Sequence, residues 1–308
     1  MHFVRRSNRT PSGSAGPSYR SRKTTGRFPA RRDSRFCLCL SETRDYRTIN
    51  RAVLATFAIS AVCRAATLHV PADYPTIQSC IDAAVSGVDE CNVAPGTYHE
   101  TINFLGKAIT VRSSGGADVT TIDATGVGGS VVSCRSHEGP DSVLDGFTIT
   151  GGTGTDLGGF TSGGGMYNNY SSPTVTDCKF SGNTGRFGGA MSNYYGSPTV
   201  TNCTFSGNTA TYYGGGMYNY SGSPTVADCT VSGNTASAGG GGMYNYYGSP
   251  TVSRCTFTGN TGYDGGGIYT NSSSPTVTNC TFSGNIANSG KGGGMYNGGG
   301  SPTRLSRL

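Results

Sequence analysis

GGGMYNYSGSPTVADCTVSGNTA, residues 214–236, decides the reading of this chain. Close copies lie on both sides of it. Aligning the proline of each Ser-Pro-Thr gives Pro173, Pro198, Pro224, Pro250, Pro275 and Pro302, 25 to 27 residues apart. A cysteine column keeps the same beat at Cys178, Cys203, Cys229, Cys255 and Cys280. A fixed period of this length marks a solenoid. Gly and Pro in every unit oppose α-helix, while Thr, Val, Phe and Tyr favour strands. Each unit holds two or three short strands and cannot bury its own apolar face. Stacking the units at about 4.8 Å per coil buries it. The expected fold is all-β: a right-handed parallel β-helix with a short N-terminal capping helix.

Period-two alternation sorts inside from outside. The expected inner columns are Val175, Val200, Val226, Val252 and Val277; the five cysteines; Phe180, Phe205, Val231, Phe257 and Phe282; and Met166, Met191, Met217, Met243, Ile268 and Met295. Each buried Val, Phe or Met contributes about 1.5–3 kcal/mol before entropy is counted. Asn183, Asn208, Asn234, Asn260 and Asn285 form a turn column. Asn tolerates turn dihedrals, and its amide can bond to the Asn above and below.

Outside the repeats the chain changes character. Residues 1–50 are an Arg-rich leader without apolar periodicity. Residues 51–66 read as a signal peptide: Arg47 and Arg51, an apolar run from Ala52 to Val62 too short to span a bilayer, then small residues. Export to the cell surface or beyond is the expectation, with no transmembrane helix. Residues 67–150 hold strands and a helix near 75–86, with Ile77, Cys80, Ile81 and Ala84 on one face to lid the stack. Residues 151–302 are the regular coils. Residues 303–308 read as a basic, truncated tail, whose uncovered last coil invites self-association. Residues 1–64 carry 14 Lys+Arg against 3 Asp+Glu, and the remainder 9 against 14. The repeat domain is therefore mildly acidic, without the basic face that nucleic acid requires.

The outward aromatic residues are the candidate contact surface. Tyr167, Tyr218, Tyr244, Tyr269 and Tyr296 follow the Met column and are expected to face solvent. Tyr194, Tyr220 and Tyr246 extend the strip, with Asn168, Asn193, Asn219 and Asn245 between them. Tyr supplies rigid contact area at low entropic cost. The competing reading is cross-strand stacking that only stabilises the sheet. No catalytic set, metal site or cofactor motif is legible. The repeats hold few charges; Asp177 and Asp228 share the position before Cys and are read as lacking a basic partner. The front acids Asp118, Asp123, Glu138, Asp141 and Asp145, with Arg135, match no catalytic spacing, and the four His have no metal-ligand partners. The five repeat cysteines are expected as buried free thiols. Cys80 and Cys91, on the cap helix and the next strand, are the candidate disulfide.

GGAM at Gly188–Met191, the related GGGM and GGGI, and FSGN at Phe180, Phe205 and Phe282 resemble the GGAI and FxxN repeats of the chlamydial polymorphic outer membrane protein family. The front segment VPADYPTIQ…VAPGTYHETI…GFTIT resembles the start of many β-helix proteins of the pectin-lyase-like superfamily. The first resemblance implies a surface location. The second implies an enzyme of the pectate lyase or pectin esterase kind, whereas the outward tyrosines point to an adhesive rod that touches polysaccharide or a host or cell-surface protein. The outer membrane proteins continue into a transporter barrel, whereas this sequence ends in SPTRLSRL in mid-repeat. A purely structural spacer or fragment is the third reading.

Overall fold

The computed structural model describes residues 64–299 and the strand at 304–306. The leader and the signal-like segment up to residue 63 lie outside the described residues. From Thr67 onward the chain winds as a right-handed parallel β-helix. Its strands form one sheet of ten, two of eight and one of seven. A regular coil runs Thr199–Thr201, Thr204–Ser206, Thr209–Tyr213 and Met217–Tyr220, one strand in each sheet. Four strands per coil is more than the two or three the sequence suggested. The extra one, after the Asn turn, is only two to five residues long and varies in composition.

Coils stack with side chains in register. Val175 pairs with Val200, Val200 with Val226, and Phe180 with Phe205. The Val and Cys columns are fully buried, as are Met166 to Ile268; only Phe282 and Met295 are partly exposed. The Phe180 and Phe205 rings stack at 4.9 Å and 4°. Strands before residue 150 pair directly with the repeats, Val143–Asp145 against Thr174–Thr176, so the irregular and regular coils form one stack. One antiparallel exception occurs, where Thr155–Asp156 pairs with Thr161–Ser162 at the start of the seven-stranded sheet. Three of the residues read as a tail continue the ten-stranded sheet: Arg304–Ser306 pairs with Thr276–Thr278, and Leu305 takes the register position opposite Val277.

Corners are set by left-handed backbone. Asp177, Asn202, Asp228, Arg254 and Asn279 all have φ between 52° and 56°. This turn aims each Cys thiol inward: the Cys229 thiol donates to Ala227 O and Val200 O. The six described free cysteines are buried, and burial pushes the Cys134 and Cys203 thiols well up. At the corner before the Met strand, Gly214 has φ +70°, and a Cβ there would sit 2.4 Å from Met217 O. Only glycine fits that turn.

Two amide ladders run along the stack. In the Asn183 column each Nδ2 donates to the next Oδ1, as from Asn183 to Asn208 at 3.1 Å and from Asn208 to Asn234 at 2.9 Å. The same Nδ2 also holds a carbonyl of the coil before, Ile149 O for Asn183. The second ladder is Asn168, Asn193, Asn219 and Asn245, linked at 2.8, 2.8 and 2.7 Å. These four are completely buried. They do not lie in an outward strip: two residues after Met, they share its inward face.

The first end is closed by Ile77–Ala83, a short helix capped by Thr76. Ile77, Cys80 and Ile81 pack inward, and a disulfide joins Cys80 to Cys91. Glu100 accepts from Ile77 N and Gln78 N, both at 2.9 Å. Lys107 Nζ donates to Ile81 O, Asp82 O and Ala84 O at 2.7, 2.7 and 3.0 Å. Both helix ends are thus held by charges from the following coil, of the sign each end prefers.

Candidate functional site

The Met-Tyr-Asn-Tyr strands place two aromatic columns on the outer wall. The sequence reading put the first of them in solvent, and the structure corrects this. Tyr167, Tyr218 and Tyr244 are only 3–5% exposed, and Tyr269 and Tyr296 are half-buried. Their cover is the fourth strand that the sequence did not reveal. Phe187 lies 5.0 Å from the Tyr218 ring, and Tyr213 lies 4.1 Å from Tyr244. These residues fold over the Tyr column as a second apolar layer outside the main core. Burial holds the Tyr218 and Tyr244 hydroxyls well above the ordinary phenol range and pushes Tyr194 and Tyr213 up to about 12.

Tyr194, Tyr220 and Tyr246 are half-buried and bridge this layer to the surface. Among the rings that stand clear is a column the sequence reading missed: Tyr170, Tyr195 and Tyr247, 54%, 48% and 57% exposed. Each occupies the left-handed corner after the Met strand, with φ 51–55°; Ser221 and Ser272 take that corner in the other coils. A bulky residue at positive φ is strained, and such strain concentrates at sites of use. A signal was present, since an aromatic residue filled a corner where Asn, Gly or Ser is the ordinary choice.

The exposed rings are ordered against one another. Tyr170 and Tyr195 stack at 4.8 Å with an angle of 8°. Tyr195 meets Tyr220 at 5.4 Å, Tyr220 meets Tyr246 at 5.5 Å, and Tyr246 meets Tyr247 at 4.1 Å. The result is a lane of phenol rings along the stack, close to one per coil. Cations lie over other rings of the outer wall: Arg135 lies 5.9 Å over Tyr167, and Arg186 lies 5.5 Å from both the Phe187 and Tyr212 rings.

The acidic residues are arranged differently. Asp228 forms a two-pronged pair with Arg254, both bonds at 2.7 Å, so it has the basic partner the sequence reading denied it. Arg254 occupies the next coil's pre-Cys position, where stacking brings it beside Asp228. That guanidinium holds the Asp228 carboxyl below its ordinary range. Glu138 is buried, and it accepts from Gly106 N, Ser136 N and the Ser171 hydroxyl at 2.7–2.8 Å. Asp145 pairs with Arg112, and Asp118 with Lys179. Asp123 faces His99 at 3.5 Å, and hydrogen bonds from Thr125, foremost among the causes, lower its pKa. Asp89, Glu90 and Asp141 line an open cleft of about 380 Å³ near the helix. Asp89 accepts from Ala66 N and Val85 N, and Glu90 lies 3.8 Å from Arg112. Among the described residues no His, Cys, Asp and Glu group has metal-binding geometry, and no helix is long and apolar enough to cross a membrane.

A family model described as a right-handed beta helix region matches residues 184–307. No curated protein and no solved structure matches the chain.

Proposed function

We propose that this chain is an exported, surface-displayed rod that uses its tyrosine lane as an adhesive, glycan-contacting face. The observation that carries the reading is the exposed column Tyr170, Tyr195 and Tyr247. These rings are held in strained corners, ordered by their neighbours and left open to solvent. Such rings stabilise nothing in the core that Ser221 and Ser272 do not manage at the same corner. Flat phenol faces suit the C–H faces of pyranose rings, and the phenol hydroxyl supplies a polar handle. The coil spacing of about 4.8 Å is close to the advance of one sugar along an extended chain. Asp118, Asp145 and Asp228 are tied to cations and Asp89 and Glu138 to backbone amides, which favours contact over cleavage.

The test is a screen of polysaccharides and cell surfaces with wild-type protein and Tyr170→Ser, Tyr195→Ser and Tyr247→Ser. Each substitution is expected to weaken binding about three- to tenfold, the worth of one aromatic contact. Binding unchanged in the triple variant would remove the lane from the reading. Release of unsaturated or reducing ends from a pectic substrate would favour the enzyme reading instead.

A further inference from the structure

We propose that Tyr170 and Tyr195 are a site of oxidative phenol coupling, at which a one-electron oxidant links two neighbouring coils through a dityrosine bond. Among the described residues they are the one pair of exposed tyrosine rings in contact, 4.8 Å apart and nearly parallel. Of the other close tyrosine pairs, Tyr213 and Tyr244 stack at 4.1 Å across coils, but Tyr244 is buried; Tyr212 with Tyr213 and Tyr246 with Tyr247 are tilted by 56° and 42° and join sequence neighbours, each with one half-buried ring. Tyr170 and Tyr195 come from different coils, 25 residues apart in sequence. Their bond would clamp the stack across a coil boundary.

The chemistry needs two equivalents of a one-electron oxidant, such as the ferryl haem of a peroxidase. Each equivalent takes one electron from one phenol, and each phenol proton passes to water. The two phenoxyl radicals join through the ring carbons beside the oxygens. The two hydrogens on those carbons then move to the oxygens, and both phenols are restored. The net loss is two protons and two electrons. Exposure favours this pair twice over: the oxidant reaches both rings, and both protons have water to accept them. Buried Tyr218 and Tyr244 keep their protons far more tightly. A radical formed deeper in the ladder can reach the pair through Tyr220, whose ring lies 5.3 Å from Tyr194 and 5.4 Å from Tyr195. The chain has 18 Tyr and no Trp, so no indole competes as the resting place.

The experiment exposes the protein, at low concentration, to a haem peroxidase with hydrogen peroxide. Dityrosine fluorescence, intact mass and digested peptides are then read. The expected product is a monomer lighter by two hydrogens, with a peptide joining the Tyr170 and Tyr195 segments. Tyr170→Phe or Tyr195→Phe, which keep the ring, should cut the yield at least tenfold; Tyr263→Phe, exposed elsewhere, should leave it unchanged. Circular dichroism confirms that each variant is folded. Equal yield from Tyr195→Phe, dityrosine confined to species of doubled mass, or none in the wild type would each overturn the proposal.

Discussion

Asn219 shows what one residue does in a stack. Its Oδ1 accepts from Asn193 and its Nδ2 donates to Asn245, both within the buried row. Asn219→Ala removes both bonds and leaves Asn193 Nδ2 and Asn245 Oδ1 without partners in a dry interior. The expected cost is about 1–3 kcal/mol for each orphaned group, read as a lower urea midpoint. A variant as stable as wild type would refute the ladder's contribution. The tyrosines give a second residue-scale expectation. Tyr218 and Tyr244 are held above the ordinary phenol range by burial. Their folded pKa lies above the unfolded value, so their contribution is complete below about pH 10. It is lost as pH rises toward the folded value. Phenolate absorbance of the folded protein should therefore lag that of urea-unfolded protein above pH 10. Coincident titration curves would contradict the buried layer. The inward row was legible in principle, because Met and Asn two residues apart share a face. The burial of Tyr218 and Tyr244 was not, because their cover comes from Phe187 and Tyr213, on strands of dissimilar sequence.

The cap helix is the element whose stability depends most on single charges. Seven residues are too few for a helix to persist alone. Glu100 satisfies two N-terminal amides and Lys107 three C-terminal carbonyls. Lys107→Met should cost about 1–2 kcal/mol, with amide exchange accelerating first at Ala84, whose N–H closes the last turn. Uniform acceleration along the whole chain would show that the cap is not a separate unit. The helix itself was readable from its apolar face and from Thr76. Its two charged anchors were not, since Glu100 and Lys107 carry no local signal and act only after the next coil has closed. The corner elements divide the same way. The positive-φ Asp and Asn before four of the five repeat Cys follow ordinary turn preferences, whereas Arg254 before the fifth and Tyr at the other corner run against them.

At the scale of the whole molecule, each coil touches only its neighbours, and stability is close to a sum over interfaces. Removing residues 214–239 should excise one coil and join Tyr213 to Gly240, bringing Met191 beside Met243 and Asn193 beside Asn245. That variant is expected to fold, with unchanged strand content per residue and a modestly lower melting temperature. Removing residues 214–226 instead runs one strand type into another and should abolish folding. The reverse result would show that the columns do not set the register. The two amide rows have a further consequence. In both, each amide-to-amide bond runs the same way, from the Nδ2 of one coil to the Oδ1 of the next. The Asn168 row finishes with a bare acceptor and a bare donor, Asn168 Oδ1 and Asn245 Nδ2, whereas the Asn183 row ends on backbone groups, Asn183 Oδ1 accepting from Gly152 N and Asn285 Nδ2 donating to Phe257 O. Turning over any single amide would set oxygen against oxygen on one side and hydrogen against hydrogen on the other. The amides can therefore reverse only together, like aligned needles in a polarised line, and the interior carries a fixed electrical direction from its earlier coils to its later ones.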